Sequence, residues 1–344
     1  MTIATPSTPY PGIHRLQLPL VDSPLKYVSA YLLPSPDGHL LIDTGWKTPD
    51  SRASLLQQLD VLGVRPAQIT RVLITHGHID HYGLAAAVLD QSDAQLIMHA
   101  LEEKLIALRY GDTHQYLQQT HALLKSAGAP QWLIADAGQL VDRFAHLVGH
   151  ATPHIRLQGG ESLRHGNFTL EVIWTPGHSP GHICLYEPTH KLFFSGDHVL
   201  PGITPNIGLY PQSGSNPLGD YIASLKQVRD LDVQLMLPAH GPLVTGYRRR
   251  VNQILVHHER RTGEMLRLLV AQPAPVTAYD LAQILPWSAK RRPIAFQALR
   301  GFDQRLAVSE VSAHLVALAH EGRVIRHTTR GVHTFRLAAI RTLS

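Results

Sequence analysis

Thr75-His76-Gly77-His78-Ile79-Asp80-His81 follows the apolar run Val72-Leu73-Ile74 and sets three imidazoles and one carboxylate within six positions. Imidazole nitrogen and carboxylate oxygen are the donors that bind zinc, iron or manganese. A single histidine carries little weight, but four donor side chains this close do. The β-branched run before them reads as a short strand, and a rigid strand end can hold a loop to within the roughly half an ångström that coordination demands.

Working outward, later donors recur in the same setting. His178 lies in Thr175-Pro176-Gly177-His178-Ser179-Pro180-Gly181-His182, Asp197 in Phe193-Phe194-Ser195-Gly196-Asp197-His198, and His240 in Leu237-Pro238-Ala239-His240-Gly241-Pro242. Each follows a strand-like run (FTLEVIW, KLFF, VQLML). Asp43, in Ile42-Asp43-Thr44-Gly45, ends an earlier one. Alternation at Leu16, Leu18, Leu20 and at Val28, Ala30, Leu32 predicts two half-buried strands, and Leu55, Leu56, Leu59, Leu62 predict a helix from Pro49 to about Gly63. A second helix is expected over Leu84–Leu89 and a strand over AQLIMH. The rhythm is α/β, interrupted by a helical insertion over about 101–150.

The composition changes at Tyr247. Residues 1–246 carry fifteen Lys and Arg against twenty Asp and Glu, whereas residues 247–344 carry sixteen against six. This asymmetry points to two modules, 1–246 and 247–344. The second reads as a long helix over about 248–271, helical stretches at TAYDLAQIL, PIAFQALRGF and SEVSAHLVALAHEG, and a hairpin of RVIRH and VHTFRL. Helices followed by a β-wing describe a winged helix. The chain of 344 residues has 44% apolar content, and no apolar run reaches the roughly 18–20 residues of a membrane span. Without a signal-peptide pattern in MTIATPSTPYPG, a cytoplasmic location and no membrane partner are expected. Cys184 is the only cysteine; it excludes an internal disulfide and reads as a core residue.

These motifs resemble the metallo-β-lactamase superfamily, whose signature is His-x-His-x-Asp-His followed by distant single ligands. The resemblance covers roughly residues 10–245 and implies an αββα sandwich, here with the helical insertion and the C-terminal winged-helix domain. It implies that His76, His78 and His178 hold one metal ion, that Asp80, His81 and His240 hold a second, and that Asp197 bridges the two. Asp43 and His182 are expected behind the ligands, orienting them by hydrogen bonds. His198 is a weaker candidate for that role. Diiron flavoprotein members carry a glutamate where His78 stands, so the histidine argues against diiron oxygen chemistry, while persulfide dioxygenases, which keep a similar histidine set, leave a single-iron oxidative role open.

The implied cofactors are two divalent transition-metal ions, zinc first, with iron or manganese as alternatives. Such a pair shares a water and lowers its pKa toward neutrality, so a bridging hydroxide is the expected nucleophile, with Asp80 and Asp197 as the catalytic carboxylates. Thr-Pro-Gly-His-Ser-Pro-Gly-His and Ser-Gly-Asp resemble the glyoxalase II-like branch, which favours a small acyl substrate: a thioester, ester or lactone. Tyr210, in the loop Asn206-Ile207-Gly208-Leu209-Tyr210, is the candidate substrate contact. The competing reading is a phosphodiesterase acting on single-stranded RNA, because the long helix and winged helix are similar to those of β-lactamase-like proteins and the module is basic. Arg248–Arg250 and Lys290–Arg292 would then meet phosphates. A homodimer is the other expected partner state.

Overall fold

The computed structural model describes residues 5–289 and 292–338. Alternation along two strands explains its layers. In β3 (Tyr27–Leu33), Val28, Ala30 and Leu32 join one apolar cluster while Tyr31 and Leu33 join another. In β10 (Ile183–Glu187), Ile183 and Leu185 share that second cluster, whereas Cys184 and Tyr186 face a third. Side chains of a strand alternate between faces, so a strand apolar on both sides must be covered on both. Four layers follow: helices, sheet, sheet, helices.

The first sheet has seven strands in chain order: β1 (Ser7–Tyr10), β2 (Ile13–Pro19), β3, β4 (His39–Ile42), β5 (Ile69–Leu73), β6 (Gln95–His99) and β7 (Ile155–Leu157). The second has five, β8 (Ser162–His165), β9 (Phe168–Trp174), β10, β11 (Leu192–Gly196) and β12 (Leu235–Pro238), in the order β12-β11-β10-β9-β8. Tyr31, Ile42, Leu73, Phe194 and Leu237 fill the space between the sheets. On the first sheet's outer face lie α1 (Pro49–Val61), α2 (Ile79–Tyr82), α3 (Ala85–Leu89) and α4 (Ala100–Ile106). Thr48 caps α1 by accepting from Ser51 N at 3.2 Å, which is why the helix starts at Pro49.

The insertion is helical. After α4, one π-helical turn over Ala107–Gly111 leads into α5 (Thr113–Ser126) and α6 (Gln131–Ala145). The second sheet is covered by α7 (Pro217–Arg229), which the sequence pattern does not reveal, and by α8 (Tyr247–Val270). Beyond α8 come α9 (Ala278–Ile284), a hairpin of β13 (Trp287–Ala289) and β14 (Arg292–Ile294), α10 (Gly301–His320), and the hairpin of β15 (Val324–Thr329) and β16 (Val332–Leu337). The helix expected at PIAFQALRGF is absent: Pro293 lies in β14 and Phe296–Ala298 form a single 3-10 turn before α10 begins. Proline lacks the N–H a helix interior needs and pushes its predecessor toward extended backbone.

The C-terminal helices do not stand apart. Leu124, Leu133 and Ile134 of the insertion share one apolar cluster with Met265, Leu269, Phe296, Val311 and Leu315. Where α8 and α10 meet α7, the ring of His258 (α8) lies 5.7 Å from that of His314 (α10) and 5.5 Å from that of Tyr221 (α7). Neither ring nitrogen of His258 has a hydrogen-bond partner among the described residues, and burial, then the neighbouring His257, lowers its pKa to about 3. An unfolded histidine titrates near 6.5. Between those values the unfolded chain binds a proton that the native chain does not, so native stability falls as the pH drops through about 6.5 toward 3, by at most about 1.4 kcal/mol per pH unit. Urea unfolding at pH 7 and pH 5 is expected to reveal that loss and to reveal a smaller one in His258→Phe. Equal losses in the two proteins would refute this account of the junction.

Candidate metal centre

Every donor picked from the sequence comes to one place, at the ends of strands from both sheets. Asp43 follows β4 with φ 60°, a left-handed conformation that Asp tolerates better than most residues. Its Oδ1 accepts from Thr75 N at 2.9 Å, and its Oδ2 lies 2.8 Å from His81 Nδ1. That bond turns His81 Nε2 outward, 3.6 Å from Asp197 Oδ1 and 3.8 Å from Asp80 Oδ2. His240 is aimed in the same way: Nδ1 donates to the Tyr27 carbonyl at 2.8 Å, leaving Nε2 3.2 Å from Asp80 Oδ2 and 3.4 Å from Asp197 Oδ1.

His178 faces the other oxygen of Asp197. His178 Nδ1 donates to the Asn206 carbonyl at 3.1 Å, and its Nε2 lies 3.6 Å from Asp197 Oδ2. His78 Nδ1 is 3.0 Å from His76 Nε2 and 3.1 Å from His178 Nε2. Three ring nitrogens therefore converge, more than neutral imidazoles can satisfy by hydrogen bonding to one another. The donor atoms fall into the groups His76–His78–His178 and Asp80–His81–His240, with Asp197 grouped with His76 and His81; within each, all lie within 4.8 Å of one another.

These residues fit a divalent cation. His81 Nε2, His240 Nε2 and Asp197 Oδ1 are buried with no hydrogen-bond partner among the described residues, a cost that a bound ion removes. Ligands sharing a tetrahedral ion at about 2.0–2.1 Å stand about 3.3 Å apart, within the spread of the separations above. Electrostatics agrees. Burial, then the surrounding imidazoles, holds His76 and His78 well below the usual histidine range, and burial lowers His178 as well; neutral imidazole is the form that donates to a metal. Burial opposes charge on His81 and His240, but the carboxylates around them outweigh it and raise both. Asp197 is held well below the carboxylate range by His240 and His81 despite its burial.

Around the donors, His182 stands behind Asp197: its Nε2 accepts from Asp197 N at 3.1 Å, and its Nδ1 lies 2.8 Å from the Thr175 hydroxyl. His198 is different. Its ring packs 5.1 Å from that of Tyr221, and neither nitrogen has a partner among the described residues. His99, which ends β6 and carries no metal-binding signal in the sequence, caps α4 through Leu101 N and stacks 5.5 Å from Trp174. Tyr210 donates to Asn206 Oδ1 at 2.5 Å, and the Asn206 carbonyl is the one that holds His178.

Two residues of the insertion escape a reading of the sequence. Glu102 is fully buried against Gly77 and Ser179. Arg109 lies on the π-helical turn, its guanidinium 5.7 Å from the Tyr110 ring centroid and 5.8 Å from that of Tyr116. No motif marks either one. The only cue to Arg109 is conformational, since π-turns gather at functional sites.

The family model for the metallo-beta-lactamase superfamily matches residues 24–240, the span that holds every donor. The chain belongs to the metallo-β-lactamase superfamily. A protein of Bacillus subtilis named probable metallo-hydrolase YqjP is 29% identical over 292 residues, 83% of this chain and 86% of that one. The Gallus gallus protein named acyl-coenzyme A thioesterase MBLAC2 is 31% identical over 212 residues, 58% of this chain and 68% of the relative. A metallo-beta-lactamase family protein of Thermus thermophilus superposes with a TM-score of 0.80 at 28% identity, covering 96% of this chain and 99% of its own. A beta-lactamase domain protein of Burkholderia ambifaria gives 0.82 at 26% identity, covering 98% and 95%. As a member of this superfamily the protein is a metal-dependent hydrolase. Its described helices include none long and apolar enough to cross a membrane.

Proposed function

We propose that this protein is a two-metal hydrolase of small acyl compounds, thioesters first, with esters and lactones in the same class. The observation that carries the reading is enclosure: the side chains of Asp80, Asp197 and His178 are only 15%, 10% and 9% exposed. Tyr110 fastens the insertion over the ligand loop by donating to the Gly77 carbonyl at 3.1 Å, and Leu209 N, beside Tyr210, bonds the Ser309 carbonyl of α10. An acyl carbonyl reaches such a site more easily than a polynucleotide strand does. The thioesterase name of the chicken relative supports the same substrate class.

His76, His78 and His178 would hold one ion, Asp80, His81 and His240 the other, and Asp197 both. Zinc suits this nitrogen-rich donor set best. Divalent ions supply Lewis acidity there: they lower the pKa of water and polarise a carbonyl oxygen. The chain itself supplies position and proton handling. Asp80, the most exposed of the three side chains above, is placed to take the proton of the attacking water and return it to the leaving group. Asp43, Thr75 and His182 fix His81 and Asp197 so that neither swings as charge moves. Tyr210 is the proposed substrate contact.

The helices α8 to α10 with the β15–β16 hairpin support a winged-helix reading of residues 247–344. Three of its arginines are engaged within the fold, whereas Arg248, Arg249 and Arg292 are exposed. Arg250 donates to the carbonyls of Leu200 and Ile203, Arg261 pairs with Glu310 at 3.0 Å and lies over Trp287, and Arg305 pairs with Asp136 at 3.5 Å. Lys290 and Arg291 lie outside the described residues.

The test is a side-by-side assay of thioester, lactone and single-stranded RNA substrates across salt. Acyl hydrolysis with little salt dependence is expected. RNA cleavage that is absent in Asp80→Ala and falls steeply with salt, by roughly 0.7 in log affinity per phosphate contact per tenfold salt, together with no acyl hydrolysis, would replace this reading with the nuclease one.

A further inference from the structure

The three histidines of the first group come from two loops on two different sheets: His76 and His78 follow β5, and His178 lies between β9 and β10. The loops lie on different sheets and one backbone bond, Ile183 N to the Thr75 carbonyl at 3.0 Å, ties them at the strand ends, short of the histidines themselves. Glu102, on the first turn of α4, reaches both. Its Oε2 accepts from Gly77 N, between the two loop histidines, at 2.5 Å. Its Oε1 accepts from the Ser179 hydroxyl at 2.5 Å and from Gly181 N at 2.6 Å, just past His178.

A carboxylate taking two backbone N–H groups and a hydroxyl forms charge-assisted bonds, about twice the strength of neutral ones. Space at the contact is tight. A Cβ on Gly77 would lie 2.9 Å from Glu102 Oε2, and one on Gly181 would lie 2.7 Å from His99 Nδ1 and 3.0 Å from Glu102 Cγ. Glycine at both positions is therefore what lets one carboxylate sit between the loops. Glu102 is absent from the donor groups found among the described residues, and its oxygens are already occupied by three donors.

We propose that Glu102 is the positioning residue of the His76–His78–His178 triad, a buried clamp that sets the two ligand loops in register whether or not a metal is bound. The proposal rests on reading those three histidines as ligands. Through the clamp, α4 of the insertion is bonded to both ligand loops. Glutamine in place of Glu102 keeps the shape but presents an amide N–H to groups that are themselves donors, so at least one bond is lost.

The test titrates full-length apoprotein with cobalt(II), followed by its visible absorption, in wild type, Glu102→Gln and Ser179→Ala. Wild type is expected to take up two ions. In Glu102→Gln one of the two should weaken by about 10–100-fold, the usual effect of removing a group that orients ligands, while the other stays within about twofold. Ser179→Ala, which removes one of the three donors, should weaken the same ion by a smaller factor. Should Glu102→Gln fail to fold, the Ser179→Ala titration decides alone. Unchanged binding, or an equal loss of both ions, overturns the clamp. A folded wild type that takes up no cobalt overturns the ligand reading itself, and the clamp with it.

Discussion

Asp197→Ala is expected to lose acyl hydrolysis by well over 100-fold and to retain fewer metal ions than wild type after gel filtration. Removing a residue that merely orients a metal ligand costs about 10–100-fold, and Asp197 is more deeply engaged. One of its oxygens faces His81 and His240, and the other faces His178. Without it, the raised histidines His81 and His240 lose a carboxylate that holds their charge, and the ligand proposed to serve both metal ions is gone. A near-isosteric Asp197→Asn should fall between alanine and wild type, since an amide oxygen can still face a cation without its charge. His121→Ala, on the insertion helix α5, is the control and should keep wild-type metal content. Equal loss in Asp197→Ala and His121→Ala would mean that the ligands have been misassigned.

Ending the chain at residue 246 is expected to abolish soluble, folded protein, although the composition change at Tyr247 invites such a cut. The cut removes Met265, Leu269, Phe296, Val311 and Leu315 from the cluster that covers Leu124, Leu133 and Ile134. It also removes Tyr247, Val251 and Ile254 from the cluster over Phe193, Leu225 and Met236. Fully burying one such side chain contributes about 1.5–3 kcal/mol. Uncovering even half of that at six positions costs roughly 5–9 kcal/mol, comparable with the roughly 5–15 kcal/mol that holds a domain together. The insertion helices should be lost first, and with them Glu102. Circular dichroism and gel filtration of the truncated chain check this; a monomeric, cooperatively melting product would contradict it.

How legible the molecule is from its sequence differs from part to part. The candidate metal donors stand out because coordination needs particular side-chain types at strand ends, and that requirement leaves dense, unusual strings such as Thr75–His81. The four-layer fold follows from strands whose alternation is apolar on both faces, as in Val28–Leu33 and Ile183–Tyr186. The stretch from Arg292 to Arg300 misleads because its apolar spacing is helical while Pro293 commits it to an extended start. α7 hides between two motif loops. Glu102 could not be read at all: its partners are backbone groups at Gly77 and Gly181 and one serine hydroxyl, and no local pattern announces a carboxylate that meets residues 25 and 79 positions away. The shared core between the insertion and the C-terminal helices is invisible for the same reason, since composition marks where a chain changes and says nothing about what it packs against.

Seven side chains, His76, His78, Asp80, His81, His178, Asp197 and His240, are proposed to form one two-metal site. Elemental analysis of the purified full-length protein, saturated with zinc and freed of excess, tests it most directly. Two ions per chain, falling to one or fewer in Asp197→Ala, is the predicted result. One ion or none in folded, zinc-saturated wild type would rule out a two-metal site.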